Sequence, residues 1–296
     1  MASNDQASNN NSEFRLDNLF STKGKLALVS GGGSGIGLMI SQALAVNGAH
    51  VYIFSRSEKV RLVAETYNKG DISGKITALQ GDITSKESIK SLVEEYSKHE
   101  DRLDILVNNS GIAGSTVNFS TNSVEELSNN LFNSDTFENW EEVMRTNVSS
   151  AYFVSAAFLP LLNKSSETQK GWSATILNVT SISGSVKITQ HHPAYNCSKA
   201  AANYLTKSLA NELNLNGFKI RVNAVAPGVF GSEMTAGGSS ANQKSKIEND
   251  KYKSLPSGRV GDDKDMAQAA LFLILDQYVN AQSIIVDGGY QVNHGQ

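Results

Sequence analysis

Seven short apolar runs recur along this chain, and they constrain its fold more than any other feature. The runs are residues 25–30, 50–55, 75–80, 103–108, 174–179, 220–225 and 283–287. Each is nearly continuous in apolar character, which is typical of strands covered on both faces. Helix-like stretches lie between them, and alternation of strand and helix predicts a parallel sheet. We therefore expect an α/β, doubly wound fold of about seven parallel strands, with helices on both faces.

Local signals place three of the helices. The first is expected over Gly35–Val46, because Asn47–Gly48 is a C-terminal stop signal. Residues 84–87, TSKE, have a capping-box pattern and predict another helix start. After Pro193 the apolar residues follow helical spacing, and that helix should end near Gly217.

The composition describes an ordinary globular chain of 296 residues, 40% hydrophobic and 19% charged. Such a length can bury a large core. We expect a polar, disordered tail over residues 1–20 and one domain over residues 21–296. The net charge of -3, without basic clusters, argues against nucleic-acid and anionic-membrane partners.

No secretory signal or membrane span is expected. The start of the chain is polar, and no apolar run reaches the roughly 18–20 residues of a membrane-spanning helix. The single cysteine, Cys197, excludes an internal disulfide framework and fits a reducing compartment. We expect a cytoplasmic protein in which Cys197 packs between neighbouring groups.

The first apolar run leads directly into SGGGSGIG, residues 30–37. Between a strand and a helix, such glycines let backbone N–H groups approach a pyrophosphate, and the helix N-terminus adds positive potential. Glycines also occur in loops for backbone reasons alone, so the motif has a purely structural alternative. Its spacing departs from G-x-G-x-x-G, because three residues separate Gly31 from Gly35.

Several motifs in order closely resemble the short-chain dehydrogenase/reductase family over about residues 22–290. They are Ser30–Gly31 with Gly35–Ile36–Gly37, NNSG at 108–111, Tyr195 with Lys199, Asp82, Asn147, a serine near 181, Pro227–Gly228 and VDGG at 286–289. The resemblance implies a Rossmann fold and nicotinamide-dependent hydride transfer. No metal is expected, because no His, Cys, Asp or Glu cluster in the sequence has metal-ligand spacing. The segment PGVFGSEMT, residues 227–235, is similar to the corresponding segment of fungal members and of bacterial ketoacyl reductases.

Tyr195 and Lys199 lie one helical turn apart. A free tyrosine has a pKa of about 10, too high for a proton shuttle at neutral pH. An ammonium nearby, with the positive nicotinamide, would stabilise the phenolate, and lowering the pKa by about 3 units needs about 4 kcal/mol. The tuned phenol could then exchange a proton with a carbonyl or alcohol. Without the other motifs, the same pair would be interpreted as a half-buried helix tyrosine and a solvated lysine that take no part in catalysis.

The resemblance implies roles for two further side chains. A serine should hydrogen-bond the substrate oxygen, and Ser181 is favoured over Ser183 because it lies three residues before a glycine. Ser181 is then 14 residues before Tyr195, which indicates an extra residue in the intervening loop. Asn147 should hold a water in a proton relay to Lys199; the alternative is a helix-interior asparagine that satisfies a backbone group.

The cofactor phosphate is predicted from the end of the second strand. No acid stands in Ser55–Arg56–Ser57, and Arg56 offers a planar cation to a 2′-phosphate, which favours NADPH. Arg56 could also be a surface arginine without a ligand, and Ser34 is not the basic residue of some NADP-dependent relatives.

The resemblance also implies the other cofactor contacts. Asp82 should hold the adenine amino group, Asn109 and Gly111 the adenosine, and Val229 and Ser232 the carboxamide. The full predicted cofactor set is Ser30, Gly31, Gly33, Ser34, Gly35, Ile36, Gly37, Ser55, Arg56, Asp82, Ile83, Asn109, Ser110, Gly111, Tyr195, Lys199, Pro227, Gly228, Val229 and Ser232.

The sequence as a whole predicts an NADPH-dependent carbonyl reductase acting on a small ketone. Two alternatives stay open: an NAD-dependent alcohol or polyol dehydrogenase, and a non-catalytic nicotinamide sensor or scaffold. Residues 229–257 should form a substrate lid, and residues 112–138 are longer than expected. The resemblance further implies a homo-oligomer, tetramer or dimer, joined through the helices that carry Asn147 and Tyr195.

Overall fold

Seven parallel strands form the central sheet of the computed structural model, which describes residues 11–238, 240, 242–245, 247 and 253–294. The strands are β1 (Leu26–Ser30), β2 (His50–Ser55), β3 (Lys75–Gln80), β4 (Ile105–Asn108), β5 (Ala174–Val179), β6 (Ile220–Pro227) and β7 (Ser283–Val286). Their order is β3-β2-β1-β4-β5-β6-β7. The order reverses direction between β1 and β4, which opens a cleft at the carboxyl ends of these strands.

Helices connect the strands and cover the sheet. They are α1 (Leu16–Leu19), α2 (Gly35–Val46), α3 (Lys59–Asn68), α4 (Lys86–Ser97), α5 (Val124–Asn133), α6 (Phe137–Met144), α7 (Ser150–Thr168), α8 (Pro193–Leu215), α9 (Glu233–Ala236), α10 (Asp263–Leu275) and α11 (Tyr290–His294). A π-helical segment, Arg145–Ser149, joins α6 to α7, and a 3-10 turn covers Ile182–Gly184.

Two apolar layers sandwich the sheet. Side chains of α2, α3 and α10 pack on one face, and those of α4, α7 and α8 pack on the other. Every residue of β1, β4, β5 and β6 is buried, which accounts for their continuous apolar character. The predicted doubly wound Rossmann fold is confirmed.

The predicted element boundaries hold closely, with one correction. Helix α2 spans the predicted range, and Gly217 lies just beyond α8 with a φ of +77°. The TSKE prediction was one residue off, because Ser85 and not Thr84 caps α4, accepting a hydrogen bond from the Ser88 amide at 3.2 Å. Thr84 instead donates its amide and hydroxyl to Asp82 Oδ1, at 2.8 and 2.7 Å.

The two unusual segments and the predicted tail are described in part. Residues 1–10 of the tail lie outside the described residues, and beyond them Leu16–Leu19 form one exposed helical turn. The longer segment 112–138 contains α5 and the start of α6, and its loop contacts the chain before α8 through the Val117 amide and the His191 carbonyl, 2.8 Å apart. Part of the predicted lid also falls outside the described residues.

Searches of the described residues found neither a membrane helix nor a metal centre. None of those helices combines the length and apolar character that crossing a bilayer requires. No group of three or more His, Cys, Asp or Glu side chains in that part of the chain is arranged to hold a metal ion.

Candidate active site

The glycine loop after β1 turns too tightly for larger residues. Gly31 has a φ of +62°, in the left-handed region that glycine favours. A Cβ on Gly37 would lie only 2.2 Å from the Gly31 carbonyl oxygen. The loop therefore closes directly onto the first turn of α2, which begins at Gly35 and directs its N-terminus at the cleft.

Ser30 at the end of β1 and Asn109 just after β4 brace this loop. The Ser30 hydroxyl accepts hydrogen bonds from the amides of Asn109 and Ser110, at 2.9 and 3.1 Å. The Asn109 side chain donates to the carbonyls of Ser30 and Gly31, at 2.9 and 3.2 Å. Ser30 and the amide of Asn109 thus shape the loop by internal bonds.

A cleft of about 430 Å³ runs along the carboxyl ends of the strands from Arg56 to Tyr195. Most of the predicted set lines it: Gly31, Ser34, Ile36, Ser55, Arg56, Asp82, Ile83, Asn109, Ser110, Gly111, Ser181, Tyr195, Lys199, Pro227, Gly228 and Ser232. Six predicted residues do not line the cleft: Ser30, Gly33, Gly35, Gly37, Asn147 and Val229. Val229 lines a neighbouring cavity instead, and Gly33 faces Val60 of α3.

Further residues that no sequence motif identified also line the cleft. They are Phe54, Ser57, Gly81, Thr84, Ile112, Thr146, Val179, Thr180, Phe230, Glu233, Met234 and Thr235. Those from Phe230 to Thr235 belong to the predicted lid, so the lid assignment could have included them. Of the others, Phe54 and Val179 lie within β2 and β5, Thr146 lies in the π-helical segment, and the rest follow strand ends.

Tyr195 and Lys199 project from α8 into the inner end of the cleft. The Lys199 Nζ lies 5.5 Å from the centroid of the Tyr195 ring and donates to the Val179 carbonyl at 2.9 Å. Only 4% of Lys199 is exposed. Cys197, two residues beyond Tyr195, is exposed and does not pack as expected, because a shift of two residues rotates it to the opposite side of the helix.

Burial governs the protonation of this pair. It lowers the pKa of Lys199 to about 8, since a charged ammonium loses its hydration there. Burial also raises the pKa of Tyr195, and a hydrogen bond with the Ser181 side chain opposes that rise. The sequence predicted a lowered tyrosine pKa; the protein's own groups shift it upward, because desolvation of the phenolate dominates.

Asn147 lies in the π-helical segment and joins three parts of the chain. Its side-chain amide donates to the Ile112 carbonyl and the Ser198 hydroxyl, both at 2.9 Å, and its oxygen accepts from the Ile112 amide at 2.8 Å. A Cβ on Gly111 would lie 3.0 Å from Asn147 Oδ1 and 3.6 Å from Lys199 Nζ. Asn147 therefore does satisfy backbone groups, and it does so beside the lysine; its role in a proton relay stays a prediction.

The two candidate serines differ in orientation. Ser181 lines the cleft, and its Oγ accepts from the Ser183 amide at 3.1 Å. The Ser183 hydroxyl instead donates to Gln190 Oε1 at 2.7 Å. This geometry favours Ser181 as the serine that faces a substrate. The intervening loop contains two consecutive left-handed residues, Gln190 and His191, with φ of 51° and 66°.

Arg56 and Asp82 occupy the outer end of the cleft. Arg56 follows β2 and is exposed, and no acid stands beside it in Ser55–Arg56–Ser57. Hydrogen bonds from Thr84 hold the pKa of Asp82 below its usual value, and the charge of Arg56 adds to this effect. A cation therefore stands at one end of the cleft, and the Ser181, Tyr195 and Lys199 side chains stand at the other.

Comparisons with known proteins agree with this geometry. A family model described as enoyl-(acyl carrier protein) reductase matches residues 31–291. The short-chain dehydrogenase/reductase PhomF of Diaporthe leptostromiformis is 36% identical over 277 residues, covering 92% of each chain. The rhamnolipids biosynthesis 3-oxoacyl-[acyl-carrier-protein] reductase of Pseudomonas aeruginosa is 34% identical, covering 92% of this chain and 98% of its own.

A solved structure extends the likeness to three dimensions. The Pseudomonas aeruginosa RhlG/NADP active-site complex superposes with a TM-score of 0.76 at 32% identity, covering 92% of this chain and 98% of the other. The fold and the cleft define the class of protein: an α/β protein that binds a nicotinamide cofactor. The chain belongs to the short-chain dehydrogenase/reductase family, a family of oxidoreductases.

Proposed function

We propose that this protein reduces a ketone to a secondary alcohol with NADPH, and that it can run the reaction in reverse. The observation that carries the proposal is the meeting of Ser181, Tyr195 and Lys199 at the inner end of the cleft whose outer end carries Arg56. The relatives named as ketoacyl reductases support a ketone as the substrate class.

The residues have distinct proposed roles in proton transfer. When bound, NADPH supplies a hydride to the carbonyl carbon. Tyr195 donates its phenolic proton to the carbonyl oxygen, which balances the hydride to give the alcohol. Ser181 accepts a hydrogen bond from the Ser183 amide, so its own O–H can donate to the same oxygen. Lys199 and Asn147 return a proton to Tyr195 from water.

The geometry supports NADPH as the cofactor through two features. A Cβ at Gly31 would lie 2.9 Å from Asn109 Nδ2, and one at Gly37 would lie 2.2 Å from the Gly31 carbonyl oxygen, so glycines allow the tight turn that directs the α2 N-terminus at the cleft, where a pyrophosphate could bind. Arg56 offers a guanidinium that can bind a 2′-phosphate in two parallel hydrogen bonds. The NADP complex of the related bacterial enzyme is consistent with this assignment.

The test is a spectrophotometric assay of cofactor oxidation at the reduced-nicotinamide band. NADPH and NADH are run in parallel against 3-oxoacyl esters, aryl ketones and sugars, with Tyr195→Phe as the control. We expect turnover with NADPH that the control lowers by at least about 100-fold, the usual contribution of a general acid. NADPH binding without turnover across the panel would instead support the non-catalytic sensor, and faster turnover with NADH would support the NAD-dependent alternative.

A further inference from the structure

One side chain in the loop before α8 bridges two elements that the mechanism above treats separately. Gln190 Oε1 accepts from the Ser183 hydroxyl at 2.7 Å, and Gln190 Nε2 donates to the Tyr290 hydroxyl at 3.1 Å. Tyr290 opens α11, 100 residues further along the chain. Ser183 in turn donates its amide to Ser181 Oγ at 3.1 Å.

The backbone of this bridge is held in a costly conformation. Gln190 and His191 both have positive φ, which non-glycine residues rarely adopt in succession. Two hydrogen bonds on the other side of the loop maintain this conformation. The His191 carbonyl accepts from the Val117 amide at 2.8 Å, and Nδ1 of the His191 ring donates to the Val117 carbonyl at 2.9 Å. A strained conformation persists only where its surroundings determine it from several sides.

We propose that Gln190 is a positioning residue that connects Tyr290 of α11 to Ser181 through Ser183. The proposal rests on the function proposed above, in which Ser181 donates to the substrate oxygen. With its hydroxyl donated to Gln190, Ser183 keeps the orientation in which its amide points at Ser181 Oγ. Ser181 must then use its own hydrogen toward the cleft, where the substrate oxygen would lie.

The bridge predicts an effect at a distance that needs no activity to detect. Tyr290→Phe removes one hydrogen bond and keeps the ring that stacks on His294, with centroids 4.0 Å apart, so α11 should remain in place. Hydrogen–deuterium exchange of the intact protein should then be about ten-fold faster at the amides of residues 182–186. Lys187→Ala, an exposed change in the same loop, is the control and should leave exchange there unaltered.

Kinetics test the catalytic consequence. Gln190→Ala removes the amide and keeps the strain, whereas Gln190→Gly removes both. Both should lower kcat about ten-fold, the equivalent of one hydrogen bond, without changing the KM for NADPH. Gln190→Glu keeps an acceptor for Ser183, and the Tyr290 hydroxyl can rotate to donate to it, so kcat should stay within about two-fold of wild type.

The outcomes separate this proposal from the proposed function. Wild-type protein without ketone turnover would contradict the function, and the exchange measurement would still decide the bridge. Exchange that rises only within 290–294 in Tyr290→Phe would overturn it. So would an active enzyme in which Gln190→Ala and Gln190→Gly leave kcat unchanged, or one in which only the alanine variant, with its retained strain, loses activity.

Discussion

At the scale of single residues, burial shapes the chemistry more than sequence neighbours do. Lys199 is enclosed, with a pKa lowered to about 8, because the cleft that brings it to Tyr195 also excludes water. Burying the charged Lys199 ammonium thus lowers the free energy of unfolding, and the proposed function requires the lysine at this position. Such a trade between stability and activity is common at active sites.

We expect Lys199→Met to be more stable than wild type at pH 7 and to lose turnover. The unfolded lysine has the ordinary pKa of 10.5, so between about pH 8 and 10.5 the unfolded state binds more protons and wild-type stability rises with pH. The gain should be about 1–3 kcal/mol at pH 7, reduced by the Val179 carbonyl left without its donor. Urea unfolding at pH 7 and 9.5 measures the difference in free energy of unfolding between Lys199→Met and wild type. This difference should be smaller at pH 9.5, and a larger difference at pH 9.5 would contradict the prediction.

Arg56 should select the cofactor phosphate. Arg56→Ala should raise the KM for NADPH about ten-fold or more and leave the KM for NADH nearly unchanged, since only NADPH carries the 2′-phosphate. Arg61, an exposed arginine on α3, offers a matched control as Arg61→Ala. Equal losses with both cofactors, measured as kcat/KM, would remove Arg56 from the phosphate site.

At the scale of elements, a buried arginine fastens a helix to the sheet. Arg221 of β6 donates from Nη1 to the carbonyls of Leu273 and Val279, each at 3.0 Å, and from Nη2 to that of Ile274 at 2.5 Å. The bonds to Leu273 and Ile274 satisfy carbonyls at the C-terminal end of α10, where the positive charge suits the helix dipole, and the bond to Val279 holds the connection that follows. Burial nevertheless lowers the pKa of Arg221 to about 10.

Replacing this guanidinium should destabilise the protein without touching the cleft. Arg221→Met should lower the free energy of unfolding by about 3–5 kcal/mol, because several carbonyls lose a buried charged partner. Lys219→Met, exposed just before the same strand, should change it by less than about 0.5 kcal/mol. Urea unfolding with a fixed m-value decides the comparison, and equal effects of the two variants would refute the role of Arg221.

At the scale of the whole molecule, the strand order places the site. The reversal between β1 and β4 brings the glycine loop beside NNSG, and the next two strands carry Ser181 and Pro227–Gly228 to the same edge. The faces of α7 and α8 that point away from the sheet present Tyr152 and Tyr204, which are 47% and 74% exposed. We predict self-association through α8, which carries Tyr195, and through the helical stretch of Asn147, a π-helical segment that α7 continues.

We expect light scattering after size exclusion to give the mass of a dimer or tetramer. Tyr204→Glu should shift the protein toward a smaller species, because a charge buried in an apolar interface is costly. Tyr278→Glu, at a fully exposed position of the α10–β7 connection, should leave the mass unchanged. A monomeric wild-type protein would contradict the prediction.

The sequence by itself determined the strands, the glycine turn and the one-turn spacing of Tyr195 and Lys199. Each depends on residues within a few positions of one another, where backbone sterics and apolar periodicity decide the outcome. The tertiary structure alone placed Ser181 on the cleft wall and turned the Ser183 hydroxyl toward Gln190, set the direction of the Tyr195 pKa, and brought Gln190 to Tyr290. These depend on packing and water exclusion between segments far apart in the chain, which local spacing does not encode.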